Sequence, residues 1–289
     1  GNTVAVHADH TDENQTGHFA DMHTKILQNN SQEEFAVISS QMKLGDLVTY
    51  SGLDTEKEYR LYSELKIVDT NGTVIGDVLD ADGHAVAAVK YFIPEDADGS
   101  VTVDFPEFDG YQLVKNDKPV GDIVAFETLF FGRKTLIEHK NPKDEDQTLR
   151  VTSLHTTATD SDTKDHISYA DSSVTIQDAV EYYGLIPGKK YTITGVLMNQ
   201  ETGKPVLVDG KQVTATDTFQ ASQRNGKRTL AFTFDGRTLA GTKTVVFEDL
   251  YYNNGKLASH ANLNDTEQTV EIPKYATPNS AGVDLCSMM

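Results

Sequence analysis

Two stretches of the chain carry the same polar residues in the same register. Each holds a histidine, then an aspartate, then a glutamine followed by threonine: His139, Asp144 and Gln147 in one, His260, Asp265 and Gln268 in the other. A Phe-Glu pair precedes each histidine at the same distance, ending in Glu127 and Glu248 (139−127 = 260−248 = 12). Histidine and carboxylic acids can accept and donate protons, and a carboxamide held next to them can be activated as an electrophile. The spacing therefore predicts one chemical site, present twice.

The elements that position these groups repeat as well. The segment from Gly45 to Leu53, with Asp46 near its start, has a counterpart from Gln177 to Leu185, with Asp178 in the same place (178−46 = 132). Each segment is predicted to be a strand that turns into a second strand, and Pro187-Gly188 supplies an explicit turn. Asn-Gly, Asp-Gly and Thr-Gly turns separate short alternating runs throughout the chain. This regular succession of short strands and turns predicts an all-β sandwich rather than an α/β enzyme.

The repeat divides the 289 residues into two domains, which is also what the length suggests. Alternating runs from Thr3 to Asp9 and from Leu154 to Asp160 are predicted to be the first strand of each domain. We expect the domains to span residues 1–152 and 153–274. Residues 275–289 have no partner in the repeat and are interpreted as a tail or linker.

Composition limits the classes of partner. Acidic residues outnumber basic ones by 44 to 25, which argues against nucleic acid or anionic lipid. There is neither an apolar run long enough to span a membrane nor a signal peptide at the start. The single cysteine, Cys286, falls in the tail and leaves no internal disulfide. The histidines between His7 and His23 fit no compact ligand pattern, so we predict neither a metal nor a cofactor.

Together these motifs resemble the VaFE-type repeats of Gram-positive surface adhesins, which are immunoglobulin-like domains with an intramolecular Thr–Gln ester crosslink. Two copies of the repeat together cover nearly the whole chain, so the resemblance implies two tandem immunoglobulin-like β-sandwich domains. In that family a first-strand threonine is joined to a glutamine at the last strand, assisted by a Glu, a His and an Asp. By position, these residues are Thr3, Gln147, Glu127, His139 and Asp144 in the first domain, and Thr156, Gln268, Glu248, His260 and Asp265 in the second. Thr157 stays open as a rival to Thr156, because neighbouring strand residues face opposite sides.

The resemblance implies an acyl transfer that releases ammonia and occurs once per domain, so we do not expect an enzyme. It also implies an extracellular stalk of an adhesin, anchored to the cell wall through other parts of the parent protein. Its expected partners are neighbouring domains of that protein, and a host ligand could be bound by another domain.

Four alternatives to the ester can be weighed from the sequence. The polar residues could simply satisfy one another in a sandwich core, and the domains could then be a ligand-binding adhesin module without crosslinks. A threonine hydrolase triad is disfavoured because the site would lie inside a sandwich. A Lys–Asn isopeptide bond needs a first-strand lysine, but the first lysines are Lys25 and Lys164. An internal thioester would need a cysteine within a domain, where Cys286 does not lie.

Overall fold

The structure, a computed structural model, describes residues 20–29 and 33–274 of the chain. In this part of the chain, strands supply the regular structure apart from one 3-10 helix, Gly110–Leu113. The strands follow the alternation of the sequence; in Tyr59–Val68, for example, every second side chain is buried up to Ile67. The all-β prediction is confirmed. None of the described segments is a helix with the length and hydropathy to cross a membrane.

The strands are numbered here in chain order. Twelve begin before residue 150: β1 (Asp21–Gln28), β2 (Phe35–Ala36), β3 (Leu44–Ser51), β4 (Tyr59–Val68), β5 (Val74–Asp77), β6 (Ala87–Phe92), β7 (Gly99–Asp104), β8 (Val114–Lys115), β9 (Lys118–Pro119), β10 (Asp122–Phe131), β11 (Lys134–His139) and β12 (Thr148–Val151). Eleven follow: β13 (Ser153–Asp160), β14 (Val174–Tyr183), β15 (Lys190–Asn199), β16 (Lys204–Pro205), β17 (Leu207–Val208), β18 (Lys211–Gln212), β19 (Thr214–Gln220), β20 (Gly226–Phe234), β21 (Thr242–Tyr252), β22 (Gly255–His260) and β23 (Thr269–Ile272).

The chain forms two compact units. The first contains the described residues up to Glu34 together with Ser40–Asp109 and Gly121–Leu149. The second contains Phe35–Ser39, Gly110–Val120 and the described residues from Arg150 onward. The two short segments that join the second unit lie well before residue 152 in the sequence, and the alternating pattern alone gave no indication of this.

Each unit is a sandwich of two sheets. In the first unit, a sheet with strand order β1-β3-β7 faces a larger one in which β10 pairs with β4, β11 and β12. In the second unit, a β13-β14-β20 sheet faces one in which β21 pairs with β15, β22 and β23. The first strand of each unit therefore lies in one sheet and the last strand in the other, so a bond between those strands would join the two sheets.

Apolar side chains fill the space between the sheets. Met22, Val48 and Leu61 are among those buried in the first unit. The core of the second unit includes Ile193, Phe232 and Phe35, whose ring packs edge-on against Tyr252 at 5.4 Å between centroids. Their removal from water is the main force holding the sheets together. It also produces the dry interior in which buried polar groups of each sandwich interact strongly.

Candidate crosslinking sites

The site of the second unit lies between its two sheets. Thr156 is on β13, and β13 pairs with β14, which carries Asp178. On the opposite sheet, Glu248 of β21 stands directly opposite His260 of β22, which explains the spacing between these two residue types that the chain repeats. Gln268 immediately precedes β23. The side chains of Thr156, Asp178, Glu248 and Gln268 are all at most 1% exposed.

Thr156 contacts all the groups that could act on its hydroxyl. The amide nitrogen of Gln268 is in direct contact with Thr156 Oγ1. The same hydroxyl lies 2.9 Å from Nδ1 of His260 and 3.3 Å from Oε2 of Glu248. A nucleophile, an acyl donor and a base therefore meet at a single oxygen atom.

His260 is oriented by a second acid. Its Nε2 lies 3.2 Å from Oδ2 of Asp265, a side chain that is only 20% exposed. A carboxylate at Nε2 favours the tautomer with the proton on that nitrogen, which leaves Nδ1 free to accept the proton of the Thr156 hydroxyl. The arrangement matches the general logic of a nucleophile, a base and an orienting acid.

Burial makes the carboxyl groups of this site hold their protons. Desolvation raises the pKa of Glu248 to about 8, and desolvation together with the charge of Glu248 raises the pKa of Asp178 well above its usual range. Asp178 Oδ1 is 3.3 Å from the amide nitrogen of Gln268. Protonated carboxyls beside a carboxamide can donate hydrogen bonds as its carbonyl oxygen gains charge.

The first unit builds the same site from β1, β3, β10 and β11. The amide nitrogen of Gln147 is in direct contact with Oγ1 of Thr24, which lies 3.2 Å from Oε2 of Glu127. His139 stands opposite Glu127 in the sheet, and its Nε2 is 2.7 Å from Oδ2 of Asp144. Thr24, Glu127 and Gln147 are fully buried.

Here too a second carboxyl group pairs with the glutamate. The carboxyl groups of Asp46 and Glu127 are hydrogen-bonded to each other. Desolvation raises the pKa of Asp46 to about 6, and desolvation with the charge of Asp46 raises the pKa of Glu127 to about 10. At neutral pH this pair therefore carries one proton, on Glu127, and one negative charge.

The loop between the histidine and the glutamine is stabilised by the same turn hydrogen bonds in both units. Asp144 Oδ1 accepts the backbone N–H of Asp146 at 2.9 Å, and Asp265 Oδ1 accepts that of Glu267 at 2.9 Å. An asparagine side chain also accepts a backbone N–H in each loop: Asn141 accepts that of Lys143 at 3.1 Å, and Asn262 accepts that of Asn264 at 3.0 Å. These turns fix where the glutamine side chain starts, which explains why the spacing is identical in both copies.

A separate group could offer ligands to a metal. Asp80, Asp82 and His84 of an exposed loop have ligand atoms within 4.8 Å of one another. Asp80 Oδ1 already accepts the backbone N–H groups of Asp82 and His84, both at 2.9 Å. These bonds account for the cluster as a turn, and the group lies on a different part of the first unit from the buried site.

Comparison with known protein families finds one family twice along the chain. The family model described as "T-Q ester bond containing domain" matches residues 20–151 and again residues 152–272. The chain belongs to this family. No curated protein matches it.

Solved structures resemble this T-Q ester bond domain pair only distantly. An adhesin from Mobiluncus mulieris, described as containing intramolecular disulfide, isopeptide and ester bond crosslinks, is 17% identical, with a TM-score of 0.36 over 43% of this chain and 58% of that one. A second crystal form of it is 11% identical, with a TM-score of 0.35 over 80% of each chain. The C-terminal domain of the Streptococcus agalactiae AgI/II polypeptide BspA is 12% identical, with a TM-score of 0.37 over 82% of this chain and 97% of that one. The chain thus spans little more than half of the first of these relatives.

The structure brings together nine of the ten residues selected from the sequence. Thr156 faces the core and contacts Gln268, whereas Thr157 faces outward and is half-buried. Thr3 lies outside the described residues, and Thr24 occupies the position on the first strand that Thr3 was expected to fill. The repeat contained the signal for this correction, because the offset that relates Asp178 to Asp46 also relates Thr156 to Thr24 (156−132 = 24).

Sequence reasoning also missed one acid in each T-Q ester bond domain. Asp46 and Asp178 lie in the repeated segments, but nothing in a single strand shows that its aspartate points inward. Their complete burial reveals the carboxyl pairs. The isopeptide alternative lacks its lysine at the site, since Lys25 points away from the core and reaches Asp146 at 3.6 Å.

Proposed function

We propose that each unit closes an ester bond within itself, between Thr24 and Gln147 in the first and between Thr156 and Gln268 in the second. The direct contact between the threonine hydroxyl and the glutamine amide, buried in both units, carries this proposal. Membership of the T-Q ester bond family supports it. The same reaction then accounts for the recurrence of five residue types in one register.

In the second unit, Thr156 Oγ1 attacks Cδ of Gln268 while Nδ1 of His260 takes the hydroxyl proton. Protonated Asp178, which contacts the carboxamide of Gln268, donates a hydrogen bond to it as its oxygen gains charge and its nitrogen departs. The C–O bond forms, the C–N bond breaks, and the proton held by His260 leaves with the nitrogen as ammonia. No oxidant or outside reagent is needed.

Each site reacts once. Its acyl donor is a residue of the same unit, and the product stays in place as part of the core, so the groups that act on it never meet a second substrate. The buried position excludes water, which would otherwise hydrolyse the ester. We therefore infer that the protein is self-processing rather than a turnover enzyme.

We infer a stalk role from where the bonds fall along the chain. They close segments of 123 and 112 residues, each nearly a whole unit. Tension along the chain enters at Thr24, crosses the first ester to Gln147, passes on to Thr156 and leaves through Gln268. The strands between the bonded residues carry none of it. Such a device suits the extracellular, cell-wall-anchored stalk of an adhesin, whose partners are its neighbouring domains.

Intact mass tests the proposal. The purified protein should weigh less than its sequence by two molecules of ammonia, the Thr24→Ala and Thr156→Ala variants by one each, and the double variant by none. Hydroxylamine on the unfolded protein should cleave both links, because it attacks esters and spares isopeptides. A full-length mass equal to that of the unmodified sequence would refute the proposal.

A further inference from the structure

The two carboxyl pairs differ in one neighbour. In the first unit Ser63 of β4 stands opposite Glu127 in the sheet, and its hydroxyl donates a hydrogen bond of 3.4 Å to Oδ2 of Asp46. Ser63 and Asp46 are both fully buried. A hydroxyl group in a dry core has few possible partners, so this contact is a specific one.

The second unit has glycine at the equivalent place. Gly195 of β15 stands opposite Glu248, as Ser63 stands opposite Glu127. A Cβ atom at Gly195 would lie 2.5 Å from the Phe232 ring and 2.8 Å from Leu230. The ring therefore occupies the space where the side chain of Ser63 lies in the first unit, and a serine could not be inserted without moving Phe232.

We propose that Ser63 is a positioning residue that keeps Asp46 ionised and the shared proton on Glu127. In the second unit, Gly195 and Phe232 leave the aspartate of the carboxyl pair without a hydroxyl donor. The two bonds therefore form over different pH ranges. This inference rests on the proposed ester function and names what regulates each site. It concerns the protonation of the acids rather than the identity of the atoms that react.

The charged groups around each pair agree with this difference. In the first unit, the Ser63 hydroxyl, the positive charge of His139 and the backbone N–H of Lys25 all favour the charged form of Asp46, and Glu127 faces it as the hydrogen-bond partner. In the second, Asp178 faces Glu248, Gln268 and His260, and desolvation together with the charge of Glu248 raises its pKa well above the usual range. A hydroxyl that donates to a carboxylate lowers the pKa of that group. The reacting threonine donates to the glutamate in both units, whereas a hydroxyl that donates to the aspartate, Ser63 to Asp46, is found in the first pair.

Ionisation of each pair matters because its charge assists the histidine. Glu248 Oε2 is 3.6 Å from Nδ1 of His260, so a negative charge there stabilises the imidazolium formed when the threonine proton is taken. The first pair becomes singly charged near pH 6, and Glu248 becomes charged only near pH 8. Asp265 and Asp249 also face Glu248 and oppose its ionisation. The first bond should therefore reach its full rate at lower pH than the second.

The test follows bond formation in both units of one molecule. The full chain is collected in urea from inclusion bodies, refolded by dilution between pH 5 and pH 9, and sampled over time by intact mass and by peptide mapping of each link. In the wild type the midpoint for the Thr24–Gln147 bond should lie below that for Thr156–Gln268. Ser63→Ala should move the first midpoint upward by about one pH unit, the size expected for a lost hydrogen bond to a buried charge. The second midpoint in the same molecule is the internal control.

Two further variants separate the hydroxyl from packing. Ser63→Thr keeps the hydroxyl and should keep the wild-type profile, and Ser63→Gly, the residue used by the other unit, should behave as Ser63→Ala does. If both bonds form but their profiles coincide, or if the alanine and glycine variants leave the first midpoint unchanged, the role of Ser63 is refuted while the ester function stands. If the wild type forms no bond at any pH, the ester function itself fails.

Discussion

The two sites contain the same reacting groups but hold their protons differently. In the second unit the threonine hydroxyl touches the histidine, with 2.9 Å between Thr156 Oγ1 and His260 Nδ1. In the first unit the shortest contact of the histidine is with its acid, 2.7 Å from His139 Nε2 to Asp144 Oδ2. Burial raises the pKa of Asp46 in the first pair to about 6, whereas in the second pair it raises the pKa of Glu248 to about 8 and that of Asp178 well above its usual range.

This difference shows what a repeat conserves. Residue type and register are kept for the atoms that form and break bonds. The groups behind them, Ser63 in one unit and Gly195 with Phe232 in the other, follow the packing of each core. Chemistry therefore constrains the reacting side chains closely, while the proton affinity of the site can change through a neighbour that never touches the threonine.

The largest expected effect comes from deleting either nucleophile. Thr156→Ala should abolish the second bond and leave the first, because the sites share no residue. Losing a closure of 112 residues should cost about 5 kcal/mol, whereas a lost hydrogen bond alone costs about 1 kcal/mol. Chemical denaturation of Thr156→Ala and Thr156→Ser measures this. Thr156→Ser keeps a hydroxyl and should keep both the bond and the stability; equal small losses in the two variants would contradict a covalent role.

Deleting each histidine should separate the two sites. His260→Ala should slow the second bond by about 10²- to 10⁴-fold, the usual range for a general base. His139→Ala should slow the first bond less, because the shortest contact of His139 is with Asp144 at 2.7 Å, whereas His260 lies 2.9 Å from the reacting hydroxyl of Thr156. Time courses of refolding followed by intact mass give both rates. Equal effects would show that the contact between Thr156 and His260 makes no difference to the rate.

Much of this comparison was accessible from the sequence. The repeated glutamate, histidine, aspartate and glutamine were found because a fixed spacing is visible in the sequence itself. The structure explains the spacing, because the glutamate and the histidine pair across a hairpin in both units. Thr24 was missed because an alternating run around Thr3 looked more like a first strand than the polar run around His23. Asp46 and Asp178 were missed because a strand shows which residues alternate but not which of its faces meets the partner sheet. The role of Ser63 could not be found in the sequence for the same reason, because its hydroxyl contacts Asp46 across the space between the two sheets.

The pH dependence of stability should reveal the buried acids when no ester is present. A carboxyl group whose pKa is raised by folding binds its proton more tightly in the folded chain, so folding is favoured at low pH and weakened as pH rises toward the raised value. For Glu248 this window runs from about 4.5 to about 8. The Thr24→Ala/Thr156→Ala double variant should therefore melt several degrees lower at pH 8 than at pH 5.

The control for that measurement removes one titrating group. Asp178→Asn in the same double variant should reduce the difference in melting temperature between pH 5 and pH 8, and Asp46→Asn should do so through the first unit. A double variant whose melting temperature rises with pH over this range would show that the buried carboxyls do not hold their protons as described.

The smallest effect is expected from the loops that present the glutamines. Asn262 accepts the backbone N–H of Asn264 at 3.0 Å, and Asn141 accepts that of Lys143 at 3.1 Å. Asn262→Ala or Asn141→Ala should cost about 1 kcal/mol before the bond forms, since one exposed turn hydrogen bond is lost. The reacting groups are untouched, so each variant should still lose two molecules of ammonia, with its own bond forming only several-fold more slowly. Asn262→Asp, which keeps an acceptor oxygen, should restore the rate in the second unit. If Asn262→Ala instead blocks that bond completely, the loop sets the attack geometry itself, and the second site depends on its loop as strongly as on its histidine.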